Sequence, residues 1–261
     1  MRFQISFSRC GKSNMLPMDY QYYLSAWIYK VLFNADKDFA QFLHQTGYSG
    51  SSKNFKLFNY SPLIFEQYLL WKERALFEIK SDAIKVKVSF QLGEAAEKFI
   101  IGLFNQQIAY IGNKFNGIEL RVNQIERIPD LQESITQSYR ALSPVVISVI
   151  DPSTNYARYA SPADEEYSKW IKNNLINKFN SIPHNTNQIV DFEMDFTLKS
   201  NPRSKLVTIK PDSEQASKIR GYLFDFELTA PIYIHNLIQS AGFGEKNSMG
   251  FGWCEIGIKE K

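Results

Sequence analysis

Gly242-Phe243-Gly244-Glu245-Lys246-Asn247-Ser248-Met249-Gly250-Phe251-Gly252 holds four glycines in eleven residues, in a chain of 261 residues that has only 13. Two Gly-Phe-Gly triplets flank a short polar insert. Such enrichment has a backbone cause. Glycine enters φ > 0 freely and lets another segment approach closely, and successive outward N–H groups in such a loop form a concavity that takes anions, phosphate above all. The flanks decide what kind of loop this is. Ile234, Leu237, Ile238 and Ala241 recur at helical spacing before it, and Cys254, Ile256 and Ile258 alternate as a strand after it. Dinucleotide fingerprints and P-loops follow a strand and open a helix. The reversed order argues against a mononucleotide-binding fold and leaves two readings, a tight helix-to-strand turn or a phosphate loop of another kind.

Working back from the loop, the second half shows an apolar strand over 141–150, a capping box Ser161-Pro162-Ala163-Asp164, and a helical stripe Tyr167, Ile171, Leu175, Phe179. Val190, Phe192, Met194, Phe196 and Leu198 then alternate with Asp191, Glu193, Asp195 and Thr197 as a strand, and after the turn Ser200-Asn201-Pro202 further strands cover 206–209 and 222–228. The first half opens with Phe3, Ile5 and Phe7 as a strand and Leu24, Trp27, Ile28, Val31 and Leu32 as a core-facing helix. A short helix carries Phe39, Phe42 and Leu43 and ends before Gly47, so His44 lies in its last turn. Gly47-Tyr48-Ser49-Gly50-Ser51-Ser52 reads as a loop. Strands follow over 55–60, 76–80 and 84–90, then a helix with Ala96, Phe99, Ile100, Leu103 and Phe104, and a strand with Ile118, Leu120 and Val122.

Both halves share one order, βαββαβ with an extra strand. The fold class is α+β, two tandem ferredoxin-like (RRM-like) domains with a C-terminal glycine-rich loop. The expected division is 1–128, a polar linker over 129–140 that begins at Pro129, and 141–261.

The net charge of +3 and pI near 8.6 are too mild to indicate nucleic-acid binding without a local basic face. Cys10 and Cys254 stand alone, without the spacing of a disulfide scaffold or zinc site. The N-terminus alternates as a strand, unlike a signal peptide, and no apolar run approaches the roughly 20 residues that span a bilayer. A cytoplasmic protein without membrane contact is expected.

Three further stretches join the loop: Met1-Arg2-Phe3 with Leu16-Pro17 and Tyr20-Gln21-Tyr22-Tyr23-Leu24; Phe42-Leu43-His44 with Lys56-Leu57-Phe58-Asn59-Tyr60-Ser61; and Leu142-Ser143-Pro144. Together with the glycine loop they resemble the CRISPR-associated RAMP proteins, specifically their repeat-RNA-processing endoribonucleases, over essentially the whole chain. The resemblance implies tandem ferredoxin-like domains, CRISPR repeat RNA as substrate, retention of the cleaved product and association with other Cas subunits. It also implies that a histidine in this Leu-His context, a tyrosine of the preceding helix and the lysine opening Lys-Leu-Phe serve RNA cleavage. These fall on His44, Tyr29 and Lys56.

In such a reaction the ribose 2′-OH attacks the adjacent phosphate in line, giving a 2′,3′-cyclic phosphate or 3′-phosphate and a 5′-OH. One proton must leave, another must arrive, and a charged phosphorane must be stabilised. His44 is assigned as general base or acid, Tyr29 as orienter or proton-transfer partner, and Lys56 as the cation facing the phosphorane. Lys53 is the competing lysine. No metal or cofactor is required.

For RNA binding, Lys199, Arg203, Lys205, Lys210, Lys218 and Arg220 outnumber Asp212 and Glu214 in one window, a basic hairpin suited to a phosphate backbone. Lys246 adds a cation to a loop whose Gly242, Gly244, Gly250 and Gly252 are expected to present N–H groups. Asp191, Glu193 and Asp195 share one strand face, but alternation with apolar residues is what a half-solvated strand needs, so no metal is assigned there. His184 and His235 default to structural roles. The rival reading is a non-catalytic RAMP-fold subunit that grips repeat RNA within a Cas complex, and the discriminating feature is whether Tyr29, His44 and Lys56 converge. A monomer and a homodimer both fit the sequence.

Overall fold

The computed structural model describes residues 1–50, 53–129, 134–151, 155–211 and 213–257. Ser51 and Ser52, part of the expected linker, Asp212 and Ile258 lie outside the described residues.

The first domain is built on β1 (Arg2–Arg9), α1 (Gln21–Ala35), α2 (Lys37–Gln45), β2 (Phe58–Tyr60), β3 (Ala83–Phe90), α3 (Gly93–Asn105), β4 (Ile108–Gly112) and β5 (Gly117–Arg127). Its antiparallel five-stranded sheet runs β2-β3-β1-β5-β4, the ferredoxin-like order with β4 added at one edge. Alternation on β1 and β3 puts Ile5, Phe7, Ile84, Val86 and Val88 on the covered face, against Leu24, Ile28 and Val31 of α1 and Phe99 and Leu103 of α3. Asp36 caps α2, its carboxylate accepting from the Phe39 N–H at 2.9 Å.

The second domain repeats the plan with β6 (Thr136–Ala141), α4 (Tyr167–Asn180), β7 (Asp195–Leu198), β10 (Asp225–Thr229), α5 (Ile232–Ala241) and β11 (Cys254–Ile256). Its sheet order is β7-β10-β6-β11. The inserted hairpin β8 (Arg203–Ile209) and β9 (Ser217–Leu223) pairs outside that sheet. Tyr139, Phe226, Leu228, Ile171, Leu175, Ile234 and Ile238 form the second core.

Several elements differ from the sequence reading. The linker expected over 129–140 is strand from Thr136, where β6 starts, and β5 before it extends to Arg127. Polar side chains here occupy the outer faces of paired strands. The alternating stretch 190–198 is strand only from Asp195, since its partner β10 ends at Thr229 opposite Asp195; Val190 is 92% exposed. α4 starts at Tyr167 rather than at Pro162, because the Asp164 carboxylate is held by Arg158 at 2.6 Å while accepting from the Ser161 N–H. The strand expected over 55–60 is broken: Asn54–Phe55 and Phe58–Tyr60 are separate, with Leu57 left-handed at φ 53°. Phe55 and Leu57 enter the second core and Phe58 and Tyr60 the first, so this segment stitches the two domains together.

Candidate active site at the domain seam

The glycine loop lies on the first domain. The Gln21 side chain donates to the Gly250 carbonyl at 3.2 Å, the Ser25 hydroxyl to the Ser248 carbonyl at 2.7 Å, and the Tyr60 hydroxyl to the Gln21 carbonyl at 2.7 Å. Close packing, both within the loop and against the first domain, explains the glycines. A Cβ on Gly252, at φ +70°, would meet the Phe243 carbonyl oxygen at 1.8 Å, and one on Gly242 the Asn59 side chain at 2.3 Å.

All four glycines are buried, and the N–H groups of Gly242, Gly250 and Gly252 bond to the carbonyls of Ile238, Asn247 and Pro144, each at 2.9 Å. The outward row of N–H groups expected from the glycine enrichment is therefore not what this loop builds. Wedged between two domains, it spends its donors on its own neighbours. Its carbonyls instead converge on a cation. The ammonium of Lys178, on α4, is buried and donates to Gly242 O at 2.6 Å, to Gly244 O at 2.8 Å and to Asn247 Oδ1 at 2.8 Å. Burial pushes Lys178 down to about 7, with Glu245 pulling the other way. The Asn247 amide in turn donates to the carbonyls of Phe243 and Phe251.

The loop borders a cleft of about 340 Å³ lined by Lys53, Lys56, Phe58, Glu245, Lys246 and Ser248 among others. Tyr29, on α1, and His44, in the last turn of α2, meet edge to face beside it, with ring centroids 4.9 Å apart. Phe58 supports the Tyr29 ring at 5.5 Å. Tyr29 also hydrogen-bonds the Ser248 side chain, and burial pushes it up to about 12 against that bond. Lys56 Nζ donates to the His44 carbonyl at 2.9 Å, and partial burial lowers the Lys56 amine. The left-handed turn at Leu57 and the tight Gly47, where a Cβ would lie 2.8 Å from Lys56 Cδ, fix that reach. Tyr29, His44 and Lys56 thus come together from three separate segments, with His44 exposed.

Lys53 lies in the same cleft but is paired with Glu245 at 2.5 Å, whose other oxygen accepts from Ser148 at 2.8 Å. Lys246 is exposed on the loop in a left-handed conformation. Lys199, Arg203 and Lys205 do not line this cleft. Lys199 pairs with Glu227 at 3.1 Å. Arg203 and Lys205 stand on the hairpin face that carries Val207 and Ile219, which pack with Val146 and Phe251, the centre of the second Gly-Phe-Gly triplet.

His235 is structural: it is buried, with Nδ1 2.8 Å from the Tyr139 hydroxyl and Nε2 3.0 Å from the Ile135 carbonyl, and burial lowers its pKa. Asp191 pairs with Lys172 at 2.5 Å. Among the described residues, no three His, Cys, Asp or Glu residues gather as a metal-binding group, and no helix is long and apolar enough to cross a membrane. Sequence reasoning missed Lys178, Glu245, Ser248 and Ser25. Only the polar insert between the triplets pointed towards Glu245 and Ser248.

Residues 15–121 match the family described as CRISPR-associated protein Cas6, N-terminal, and residues 127–256 the one described as CRISPR associated protein Cas6, C-terminal. The chain belongs to the Cas6 family. It is 28% identical over 254 residues to CRISPR-associated endoribonuclease Cas6 1 of Methanocaldococcus jannaschii, covering 95% of this chain and 89% of that one. It is 25% identical over 253 residues to CRISPR-associated endoribonuclease Cas6 of Pyrococcus furiosus, covering 92% and 83%. Among solved structures, a Cas6-related protein of Pyrococcus furiosus superposes with a TM-score of 0.82 at 19% identity, covering 100% of this chain and 99% of that one. One described as a RAMP protein binding different RNA substrates gives 0.79 at 18%, covering 99% and 100%. These superpositions show the shared tandem ferredoxin-like fold.

Proposed function

We propose that the protein is a metal-independent endoribonuclease that cuts CRISPR repeat transcripts within each repeat by 2′-OH attack, leaving a 2′,3′-cyclic phosphate or 3′-phosphate and a 5′-OH. The observation that carries the reading is the convergence of Tyr29, His44 and Lys56 beside a cleft bordered by the glycine loop. Family membership supports the substrate class, since two relatives carry the name CRISPR-associated endoribonuclease.

In this reading the exposed His44 moves the proton at the 2′-OH or the leaving 5′-oxygen. Tyr29 stays a neutral O–H donor at working pH, since burial holds it near 12, and it orients the imidazole and the phosphate. Lys56 is the cation at the phosphorane oxygens, tethered by the His44 carbonyl until substrate displaces it. Lys53 and Lys246 hold flanking phosphates. Gly242, Gly244, Gly250 and Gly252 serve RNA binding through the shape they give the loop. Lys199, Arg203 and Lys205 extend the backbone track along the hairpin. The division into domains 1–128 and 141–261, action in the cytoplasm, retention of cleaved RNA and docking with other Cas subunits belong to the same proposal.

The test is single-turnover cleavage of the cognate repeat RNA in excess EDTA, with product ends identified, for wild type, His44→Ala and Lys56→Ala. Each variant is expected to lose about 100-fold or more in rate, the scale of a general acid–base or electrostatic group, with RNA affinity changed by less than about tenfold. Wild-type rates in both variants would refute the site. Tight binding without cleavage by the wild type would make the chain a binding subunit.

A further inference from the structure

Lys53 and Glu245 also line a second depression of about 260 Å³, whose opposite wall is formed by α4 and the strand Ser148–Ile150. It is smaller than the roughly 300–1,000 Å³ of sites for drug-sized ligands and suits a single flat group. Asn174 on α4 lines it, is only 7% exposed, and has a side-chain oxygen without a hydrogen-bond partner among the described residues. A buried amide oxygen without a donor is destabilising, and a turn of the amide towards an occupant of the depression would satisfy it. Beside it stands half-buried Trp170, with the Arg158 guanidinium 5.4 Å from its ring centroid, a cation–aromatic pair of the kind that stacks with nucleobases. Glu245 presents a second acceptor, its carboxylate fixed between Lys53 and Ser148.

We propose that this depression is a base-binding subsite that takes one unstacked nucleobase from the RNA strand lying in the Lys56 cleft. The proposal rests on the endoribonuclease reading. Because Lys53 and Glu245 line both depressions, the base belongs to a nucleotide close to the scissile phosphate on the same strand. Trp170 offers the stacking surface, the Asn174 amide and the Glu245 carboxylate meet the base edge, and Lys53 donates to the neighbouring phosphate. An exocyclic amine on the base edge donates to the Glu245 carboxylate, and the Asn173 and Asn174 amides offer donors to a ring nitrogen or carbonyl.

The experiment is a coupling measurement. Repeat RNAs made uncleavable by a 2′-deoxy substitution at the cut, each with an abasic ribose at one position near it, are bound by wild type, Asn174→Leu and Trp170→Ala. Since Asn174 is buried in α4, Trp170→Ala keeps the test informative if Asn174→Leu fails to fold. The expected result is one position where the abasic replacement costs the wild type about tenfold in affinity, and where that penalty vanishes in the variants. If wild type binds and cuts the repeat but no nearby position couples to residue 170 or 174, the subsite is refuted and the nuclease reading stands. A wild type that neither binds nor cuts repeat RNA refutes both.

Discussion

Lys178→Met tests whether a buried ammonium sets the glycine loop. The substitution keeps the apolar stem and removes the donor from three oxygens at 2.6, 2.8 and 2.8 Å, on Gly242, Gly244 and Asn247. Each buried acceptor left without a donor costs about 1–3 kcal/mol, and removing the buried charge returns part of its desolvation cost. The net loss is about 2–5 kcal/mol. For a chain of this size that lowers Tm by about 5–15 °C. The pH dependence gives a second readout. The folded-state pKa of about 7 lies below the roughly 10.4 of an exposed lysine. Between these values the unfolded chain holds a proton that the folded chain lacks, so this group's contribution rises with pH across the window and is lost as pH falls through about 7. Scanning calorimetry at pH 6.5, 8 and 9.5 should therefore show a wild-type gain with pH that is reduced in Lys178→Met. Cleavage should slow as well, because the loop carries the Ser248 that bonds Tyr29. A variant with wild-type Tm, the same pH trend and the same rate would refute Lys178 as the anchor.

Three further outcomes follow from the geometry. Arg203→Glu combined with Lys205→Glu should weaken RNA binding and flatten its dependence on salt, measured as the slope of log affinity against log salt; an unchanged slope removes the hairpin from the RNA track. Gly252→Ala places a methyl 1.8 Å from the Phe243 carbonyl at a positive φ, so it should destabilise by about 2 kcal/mol or more, read as a lower Tm, with wild-type stability refuting the packing. Tyr29, held near 12, should contribute no titration to the rate profile below about pH 10, while Tyr29→Phe slows cleavage across the whole range; a rate that climbs through pH 9 and loses that climb in Tyr29→Phe would instead mark a phenolate base.

The fold was legible because hydrophobic periodicity survives in the elements that build the cores. The stripe Leu24, Ile28, Val31 and the alternation of Ile84, Val86, Val88 both report burial on one face, and the structure buries them there. Two elements at sheet edges were not legible. Both β4 and the strand Tyr68–Trp71 are apolar on both faces: in β4 exposed Ile108 and Tyr110 alternate with buried Ala109 and Ile111, and Tyr68, Leu69, Leu70 and Trp71 are all exposed, so no apolar–polar period marks either strand. At the site, the residue types His44, Tyr29 and Lys56 could be named because they stand in recognisable contexts. What holds them could not, since Ser25, Lys178 and Ser248 acquire roles only when α1, α4 and the loop meet. Lys178 lies at the edge of an ordinary amphipathic stripe, and in sequence a lysine there is expected to reach solvent.

The left-handed turn at Leu57 has a consequence for how the two halves depend on each other. Within a few residues the chain commits Phe55 and Leu57 to one core and Phe58 and Tyr60 to the other, and Lys56 lies between Phe55 and Leu57, just before the switch. A fragment severed in the polar stretch after β5 would take the apolar plug of the second half away with the first. Neither half would then be a self-sufficient piece. The cation assigned to the phosphorane sits beside the suture, so its placement reports whether both halves have closed, and catalysis becomes a property of the finished molecule.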